Sequence, residues 1–173
     1  MLYKKINIDN FIAIQQELYQ FLSDYYGTVD KEICDVIPLD KVQTPLLSKY
    51  FEDNKLYPDM FSVFCRMPGV TIPIHLDGDA EFPRFLALNI PIAGYENTYM
   101  HWYNVPAEEL KDSTYEGKLL RGTDSDLTPI ETLELDGPYL LRVDIPHNVT
   151  NATDKIRVLI SVRFDPQPLH LWH

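Results

Sequence analysis

The second half of the chain is divided into short β-rich segments, and this pattern restricts the fold more than any other feature of the sequence. From Phe61 onward, apolar runs rich in β-branched and aromatic residues are separated by Pro, Gly, Asn and Asp. The runs are FSVFCRM, TIPIHLD, RFLALNIPI, NTYMHWYNV, PIETLEL, PYLLRVDI and IRVLISVRF. Seven or more short strands at this spacing are typical of a sandwich or barrel. We therefore predict a mainly β fold, a jelly-roll, over residues 58–166.

The first 57 residues have a helical pattern instead. Apolar residues recur at three- and four-residue steps in DNFIAIQQELYQFLSDYYG, and this periodicity predicts an amphipathic helix that stops at Gly27. A second, weaker helix is predicted in PLLSKYFEDN, with Pro45 in its first turn. We expect one domain of 173 residues in which residues 1–57 cover the β core and residues 167–173 form a tail.

One polar segment separates the predicted strands. Residues 106–128 contain Gly and many charged side chains, so we expect them to leave the sheet before the chain returns to it. This excursion is also a candidate lid over a binding site, a role that the sequence leaves open.

Charge and cysteine content exclude several classes of function. The chain has 15 Lys and Arg against 26 Asp and Glu, a net charge of −11, and such a field repels nucleic acids and anionic membranes. No run of apolar residues is long enough for a membrane span, and the first residues lack the apolar block of a signal peptide. We therefore expect a cytoplasmic protein. Cys34 and Cys65 have no C-x-x-C spacing and are expected to be free thiols.

A candidate metal site begins in the segment TIPIHLD. His75 and Asp77 are two residues apart, so in a strand both side chains point to the same face. Ionisable groups that face a core must be paired or bound to metal. A lone H-x-D spacing occurs readily by chance, and an ordinary His-Asp hydrogen bond at a strand end would also explain it. The pair gains weight only from residues near the C-terminus.

The second part of the candidate site lies in that C-terminal region. His147 ends one apolar run, the polar turn NVTNATDK comes next, and Arg157 opens another run ten residues later. If the two runs form a hairpin, His147 and Arg157 can face one interior. Two imidazoles and a carboxylate form the facial triad of non-haem Fe(II) oxygenases, which leaves three metal positions open. A guanidinium nearby would bind a carboxylate through paired hydrogen bonds, although Arg157 could equally be a surface cation on an edge strand.

At these residues the sequence resembles the Fe(II)- and 2-oxoglutarate-dependent dioxygenase superfamily, whose pattern is H-x-D, a distal His and an Arg about ten residues beyond it. The segments HLDGDAEFPRFLALNIPI and HNVTNATDKIRVLISVRF look most like the aspartyl/asparaginyl β-hydroxylase branch and the related proline hydroxylases. The resemblance covers residues 61–165 and implies a double-stranded β-helix, the cupin-like form of the jelly-roll. It also implies that His75, Asp77 and His147 bind Fe(II).

The resemblance further implies a binding site for 2-oxoglutarate. Arg157 would hold its carboxylate, assisted by Arg84, which follows His75 by nine residues as a second Arg does in the hydroxylase branch. The Ser that commonly follows the last Arg by two places is Leu159 in this chain, and Ser161, two residues further on, is the candidate for that contact. Arg84 also has an ordinary explanation as an ion-pair partner of a nearby acid.

The implied activity is a hydroxylation that uses molecular oxygen, with an amino acid, a peptidyl side chain or another small molecule as substrate. Candidate substrate contacts are Tyr99, His101, Trp102 and Arg163. Tyr99 and His101 share one face of their strand and Trp102 lies on the other, and the sequence leaves open which face lines the pocket. Two other functions remain possible at this point: a cupin-like metal-dependent isomerase or sugar-modifying enzyme without 2-oxoglutarate, and a non-catalytic jelly-roll binding module.

Overall fold

The computed structural model describes residues 1–77, 85–106, 109–115, 118–123 and 127–172, and the side chains of residues 113–115 and 118–121 fall outside that description. The elements, in chain order, are β1 (Tyr3–Lys5), α1 (Phe11–Tyr26), β2 (Ile33–Ile37), a 3-10 turn (Leu39–Lys41), α2 (Pro45–Asp53), β3 (Pro58–Arg66), β4 (Ile74–Leu76), β5 (Leu86–Ala93), β6 (Thr98–Trp102), β7 (Lys111–Tyr115), β8 (Lys118–Thr123), β9 (Glu131–Glu134), β10 (Tyr139–Arg142), β11 (His147–Asn151), β12 (Arg157–Phe164) and α3 (Leu169–Trp172).

Two antiparallel sheets of six strands form the body of the protein. The first has the order β1-β10-β5-β12-β3-β2 and the second the order β7-β8-β4-β11-β6-β9. From β3 to β6 and again from β10 to β12, successive strands alternate between the two sheets, as they do in a double-stranded β-helix. The prediction of a mainly β jelly-roll with N-terminal helices is therefore confirmed.

Strand β12 shows how the sequence builds the two faces of the first sheet. It lies between β3 and β5, and all eight of its residues are buried. Because side chains alternate along a strand, Val158, Ile160 and Val162 face outward and pack in a cluster that includes Leu18 and Leu22 of α1. The alternate residues, beginning with Arg157, line a cavity between the sheets. The apolar outer row keeps α1 on the sheet, because each buried aliphatic side chain stabilises the fold by about 1.5–3 kcal/mol.

The N-terminal region contributes strands as well as the two predicted helices. The helix α1 buries Ile14, Leu18 and Leu22 on one stripe and ends at Gly27, whose φ of 76° is in the left-handed region. Strands β1 and β2 occupy the two edges of the first sheet, a role that the sequence did not indicate. Both are short, and β2 has partly buried or exposed residues between its buried ends, so neither has the long apolar alternation that predicts a strand.

The segment predicted to leave the sheet returns to it as a hairpin. Strands β7 and β8 pair with each other, and β8 pairs with β4. The expected excursion over residues 106–128 is therefore corrected in part, since this hairpin extends the second sheet next to the strand that carries His75. Among the described residues, no helix is both long enough and apolar enough to cross a lipid bilayer.

Gly122 is the residue of β8 that lies directly opposite His75. A Cβ atom at this position would overlap the carbonyl oxygen of Ile74, so Gly122→Ala should push β8 away from β4. We expect a loss of about 1–3 kcal/mol in the free energy of unfolding, the usual cost of overpacking, measured by urea denaturation. Gly137→Ala is the control, because its added Cβ meets the flexible end of the Lys5 side chain. Equal stability of the two variants would contradict this account.

The two cysteines should differ in reactivity. Cys65 is fully buried, and burial raises the pKa of its thiol to about 12, whereas an unfolded cysteine ionises near pH 8.5. Between these two values the unfolded state alone loses the proton, so ionisation of Cys65 lowers the stability as pH rises. At pH 8 we expect iodoacetamide to modify Cys34, which is partly exposed, and to modify Cys65 only in urea. Mass spectrometry of the alkylated chain distinguishes the two sites, and equal modification rates in the native protein would be the contrary result.

Candidate metal centre and its cavity

Adjacent strands of the second sheet bring the three predicted metal ligands together. His75 of β4 lies directly opposite His147 of β11, and their ring centroids are 4.5 Å apart. Asp77 follows β4 by one residue, with Oδ1 3.5 Å from Nε2 of His75. One ligand atom from each of the three side chains lies within 4.8 Å of those of the other two. The geometry is suitable for one ion, and the role of these residues as metal ligands stays a prediction.

Backbone carbonyl groups orient both imidazole rings. Nδ1 of His75 is 2.8 Å from the carbonyl oxygen of Pro73, and Nδ1 of His147 is 2.9 Å from that of Ile145. Because a carbonyl oxygen only accepts hydrogen bonds, each Nδ1 carries the proton and donates. This tautomer leaves the lone pair of each Nε2 available to a metal, and such support from outside the ligand set is characteristic of metal-binding histidines.

The charges at the cluster also suit a divalent cation. Burial, reinforced by the nearby His75, lowers the pKa of His147 to about 4, so the ring is neutral near pH 7. Burial by itself would raise the pKa of Asp77, but the charge of Arg163 holds that pKa well below its ordinary value. A neutral imidazole at His147 and an ionised carboxylate at Asp77 are the protonation states that metal binding requires of these two groups.

A hydrogen-bond network from the first sheet holds the Asp77 carboxylate. Nη2 of Arg163 donates to Oδ2 of Asp77, and its Nη1 donates to Oγ of Ser161. Ser161 in turn donates to Oδ1 of Asn89, at 2.5 Å. Arg163, predicted to contact substrate, therefore pairs with a predicted metal ligand. Ser161, predicted to contact the cosubstrate, lines the cavity and already has two hydrogen-bond partners.

The cluster opens into a cavity of about 360 Å³ between the two sheets. Its walls come from β2, β3, β5 and β12 of the first sheet and from β4, β6 and β11 of the second. Apart from the cluster, the lining side chains are Cys34, Val36, Met60, Ser62, Phe64, Arg66, Val70, Ile72, Asn89, Met100, Val143, Val149, Asn151, Arg157, Leu159, Ser161 and Arg163. The lining thus combines the His-Asp-His cluster with apolar side chains, several neutral polar ones and three arginines, Arg66, Arg157 and Arg163.

Arg157 is the residue of this cavity with unsatisfied hydrogen-bonding capacity. Its side chain is buried, and neither Nε nor Nη2 has a hydrogen-bond partner among the described residues. Burial, with a smaller contribution from the charge of Arg66, lowers its pKa to about 10, so the guanidinium is still charged near pH 7. Buried donors without acceptors are costly. An anion bound in the cavity would remove that cost, so the surroundings of Arg157 fit a carboxylate.

Two predicted substrate contacts lie outside the cavity. Along β6, Met100 and Trp102 are buried while Tyr99 and His101 are half-buried, and Nδ1 of His101 is 2.9 Å from Oγ1 of Thr132 on the neighbouring strand. Tyr99 and His101 therefore lie on the face of the sheet away from the cavity, because the inward face of β6 is the one that carries Met100. Neither residue lines this cavity, and the substrate contact predicted for them stays a prediction.

Trp102 is on the inward face of β6 but has a packing role. Its ring stacks on Tyr3 at a centroid distance of 5.7 Å, and its Nε1 donates to the carbonyl oxygen of Arg142 at 2.8 Å. It belongs to a second apolar cluster that fills the interior beside the cavity, and it is not among the lining residues. Arg84, predicted to assist Arg157, lies outside the described residues.

Sequence reasoning missed Arg66 and Asn89, which both line the cavity. Arg66 ends β3 and shares its strand face with Ser62 and Phe64. The alternation of FSVFCRM predicts that Arg66 shares a face with Ser62 and Phe64, but one strand alone does not show which of its faces points inward. Asn89 lies in the continuous apolar run of β5, where a single polar residue indicates a buried hydrogen bond.

The pairing of Arg163 with Asp77 should dominate the stability of the metal-free protein. Asp77→Asn leaves a buried guanidinium without its counter-charge, so we expect a cost of about 3–5 kcal/mol. Arg163→Met should cost clearly less in the Asp77→Asn background than in the wild type, with a coupling energy of about 2 kcal/mol or more. Urea denaturation in the presence of EDTA measures all four proteins of the cycle.

The control cycle uses Lys5 and Asp136, whose side chains pair at 2.8 Å and are each 55% exposed. An exposed pair of this kind contributes about 0–1 kcal/mol. If the coupling energy of the buried pair were no larger than that of the exposed pair, Arg163 would not stabilise the carboxylate as the geometry indicates.

Comparison with known proteins adds a structural likeness to this geometry. No protein-family model and no curated protein matches the sequence. Among solved structures, EvdMO1 is similar, with a TM-score of 0.58 and 16% identity over 94% of this chain. A prolyl-4-hydroxylase of Pseudomonas putida is similar with a TM-score of 0.50 and 11% identity, over 94% of this chain and 91% of the hydroxylase.

The chain spans 46% of the length of EvdMO1, so its likeness to that protein concerns one part of a longer chain. At these identities the comparisons bear on the fold. The strand order, the alternation between the two sheets and these neighbours agree with one another. The chain has the fold of the Fe(II)- and 2-oxoglutarate-dependent oxygenases, and a His-Asp-His cluster lies in its cavity.

Proposed function

We propose that the protein is an Fe(II)- and 2-oxoglutarate-dependent oxygenase that hydroxylates an amino acid, a peptidyl side chain or another small molecule. The observation that carries the proposal is the placement of two features in one cavity. One is the cluster of His75, Asp77 and His147, and the other is the buried, unpaired guanidinium of Arg157. A metal site alone would suit many enzymes. A metal site that shares a cavity with a buried unpaired cation suits an enzyme whose cosubstrate has an anionic end.

The metal would be held by Nε2 of His75, Nε2 of His147 and a carboxylate oxygen of Asp77. Three ligands from one side leave the other side of an octahedral ion open to cosubstrate, oxygen and substrate. Bound together, iron and 2-oxoglutarate supply the activation of oxygen that hydroxylation needs. Arg163 keeps the Asp77 carboxylate ionised and oriented, so the protein prepares the ligand set in advance.

Arg157 would bind the carboxylate of 2-oxoglutarate that lies away from the metal. Its free Nε and Nη2 donors match the two oxygens of a carboxylate, and the apolar side chains of Leu159 and Val149 lie in the cavity wall as suitable neighbours for methylene groups. Arg84 remains the predicted second contact of the same carboxylate.

The substrate class is inferred from charge and resemblance. A net charge of −11 argues against nucleic acid as the substrate. The resemblance to amino-acid and peptidyl hydroxylases favours substrates of those classes. A cytoplasmic location remains the expectation from the sequence.

The test starts with metal-free protein under anaerobic conditions. Addition of Fe(II) and 2-oxoglutarate should produce the visible charge-transfer absorption of the chelated pair, and admission of oxygen should yield succinate even without a prime substrate. A protein that binds the metal but produces neither signal would be better explained as a cupin-like isomerase or sugar-modifying enzyme. One that binds neither component would be a jelly-roll binding module.

Two matched histidine variants make the test specific. His147→Gln removes a predicted ligand, so we expect succinate formation to fall by more than about 100-fold, beyond the 10- to 100-fold effect of outer-shell partners. His101→Gln alters a histidine of the neighbouring strand that faces away from the cavity, and the rate should stay within about twofold of the wild type, as is usual for residues outside the site. Equal rates for the two variants would refute the assignment of His147.

A further inference from the structure

The cavity between the sheets reaches solvent along an apolar rim. Among the described residues that line it, the neutral polar ones are all buried. The lining residues that solvent does reach are, apart from Asp77, one thiol and several apolar side chains. Five of these define what we call the mouth of the cavity: Cys34, Val36, Phe64, Val70 and Ile72.

This distribution is the reverse of the one that water would favour. Solvent stabilises polar groups at an opening and apolar groups inside, because exposed apolar surface carries a free-energy cost. Here Val36 is 45% exposed, whereas Ser62, Asn89 and Asn151 are buried deeper in the same cavity. Apolar side chains that are grouped at an opening indicate a binding site. The mouth therefore fits an uncharged hydrocarbon group that would cover it.

The mouth lies next to the metal cluster. Val149 is the next residue of β11 after His147 that faces the cavity, and residues two apart on a strand are separated by about 7 Å. Ile72 is beside Val149, since its backbone N–H donates to the Val149 carbonyl oxygen at 3.1 Å. A molecule whose reacting carbon is at the cluster would thus place its next few atoms in the mouth.

Polar side chains of the lining are already bonded within the protein. Oδ1 of Asn89 accepts from Ser161 at 2.5 Å. Nδ2 of Asn151 donates to the carbonyl oxygens of Arg66 and Met67, at 2.9 and 3.0 Å. A polar group needs hydrogen-bond partners to leave water without a large cost, so these residues offer little to an acid or amide side chain of a substrate.

We propose that the mouth binds an uncharged hydrocarbon group of the prime substrate, and that Val36 is one of the residues that determine specificity for it. The inference rests on the proposed function, because it takes the cavity as the site of an oxygenase. It narrows the substrate class to molecules with an apolar group next to the reacting carbon. An aliphatic amino-acid side chain, free or peptidyl, has this chemistry, whereas the side chains of aspartate and asparagine do not.

Cys34 reports occupancy of the mouth without turnover, because its thiol lines the cavity and is partly exposed. The protein is alkylated with iodoacetamide at pH 8, with Mn(II) in place of iron and with 2-oxoglutarate present. Increasing concentrations of N-acetyl-leucinamide, N-acetyl-asparaginamide or N-acetyl-alaninamide are then added. For each probe, the concentration that halves the rate at Cys34 is its dissociation constant. Cys65 is buried and stays unmodified while the native fold persists.

The three probes separate size from polarity. Leucine and asparagine side chains have the same number and branching of non-hydrogen atoms, so this pair isolates polarity. We expect the leucine probe to bind at least about tenfold more tightly than the alanine probe, as burial of three further carbons allows. The asparagine probe should bind no better than the alanine probe, because its amide loses water without gaining partners.

Free leucine, tested beside its capped form, distinguishes two sources of the apolar group. Protection by the free amino acid would point to a free substrate, and protection by the capped form alone would point to a peptidyl one. Either result supports the inference, since both place a hydrocarbon group in the mouth.

Two matched variants locate the selectivity. Val36→Asp places a carboxylate where the hydrocarbon group would lie, so the preference for leucine over alanine should fall by about fivefold or more. Leu39→Asp is the control, because Leu39 is 43% exposed, close to the value for Val36, and does not line the cavity. It should keep the preference within about twofold. Half-protection concentrations are compared because a new carboxylate also changes the reactivity of the nearby thiol.

Val36→Thr replaces Val36→Asp if alkylation of Cys65 shows that the Asp variant is unfolded. Threonine has the shape of valine with one hydroxyl, so we expect the preference to fall by about threefold. The inference is overturned if the asparagine probe protects as well as the leucine probe, if no apolar probe slows alkylation of Cys34, or if the variants at positions 36 and 39 behave alike.

This result and the proposed function fail separately. Selective protection by the leucine probe in a protein that forms no succinate with iron would contradict the proposed function and leave the apolar mouth standing. Succinate formation in a protein without that selectivity would support the proposed function and overturn the apolar mouth.

Discussion

The pairing of β4 with β11 is the interaction on which the candidate site depends. It sets His75 directly opposite His147 in the second sheet, and Asp77 follows within two residues. Antiparallel register places opposed side chains about 5 Å apart on one face of a sheet. A shift of one residue would turn one imidazole to the other face. The hairpin β7–β8 flanks this pair, and Gly122 lets β8 approach β4 where His75 lies.

The first sheet faces this pair with a strand that has two different sides. The outer residues of β12 pack under α1, while Arg157 and Arg163 point into the interior. The two arginines have different electrostatic situations. Arg163 is bonded to Asp77 and Ser161, so its charge is compensated within the protein. Among the described residues, no group accepts a hydrogen bond from Nε or Nη2 of Arg157, so its charge lacks the compensation that Arg163 has. The difference separates Arg163, which holds the Asp77 carboxylate, from Arg157, for which we propose a role in ligand binding.

The interior between the sheets is only partly empty. Trp102, Met100 and Leu141 belong to the apolar cluster that closes one part of it, and the remainder is the cavity. The filled part stabilises the jelly-roll by burial of large side chains, so the fold tolerates several buried charges in the other part. The N-terminal strand β2 borders the cavity rather than the filled part of the interior, since Cys34 and Val36 are among the residues that line the cavity.

The sequence by itself determined the β-rich architecture, the helix α1 and the candidates His75, Asp77, His147 and Arg157. Period-two alternation and i, i+2 spacing depend on local backbone geometry, which a sequence records directly. Tertiary structure alone decided which face of β6 points inward, and hence that Tyr99 and His101 lie outside the cavity. It also decided that Arg163 pairs with Asp77 and that Arg66 lies beside Arg157. These facts depend on which strands become neighbours, and strand pairing is set by the packing of the whole chain rather than by any one segment.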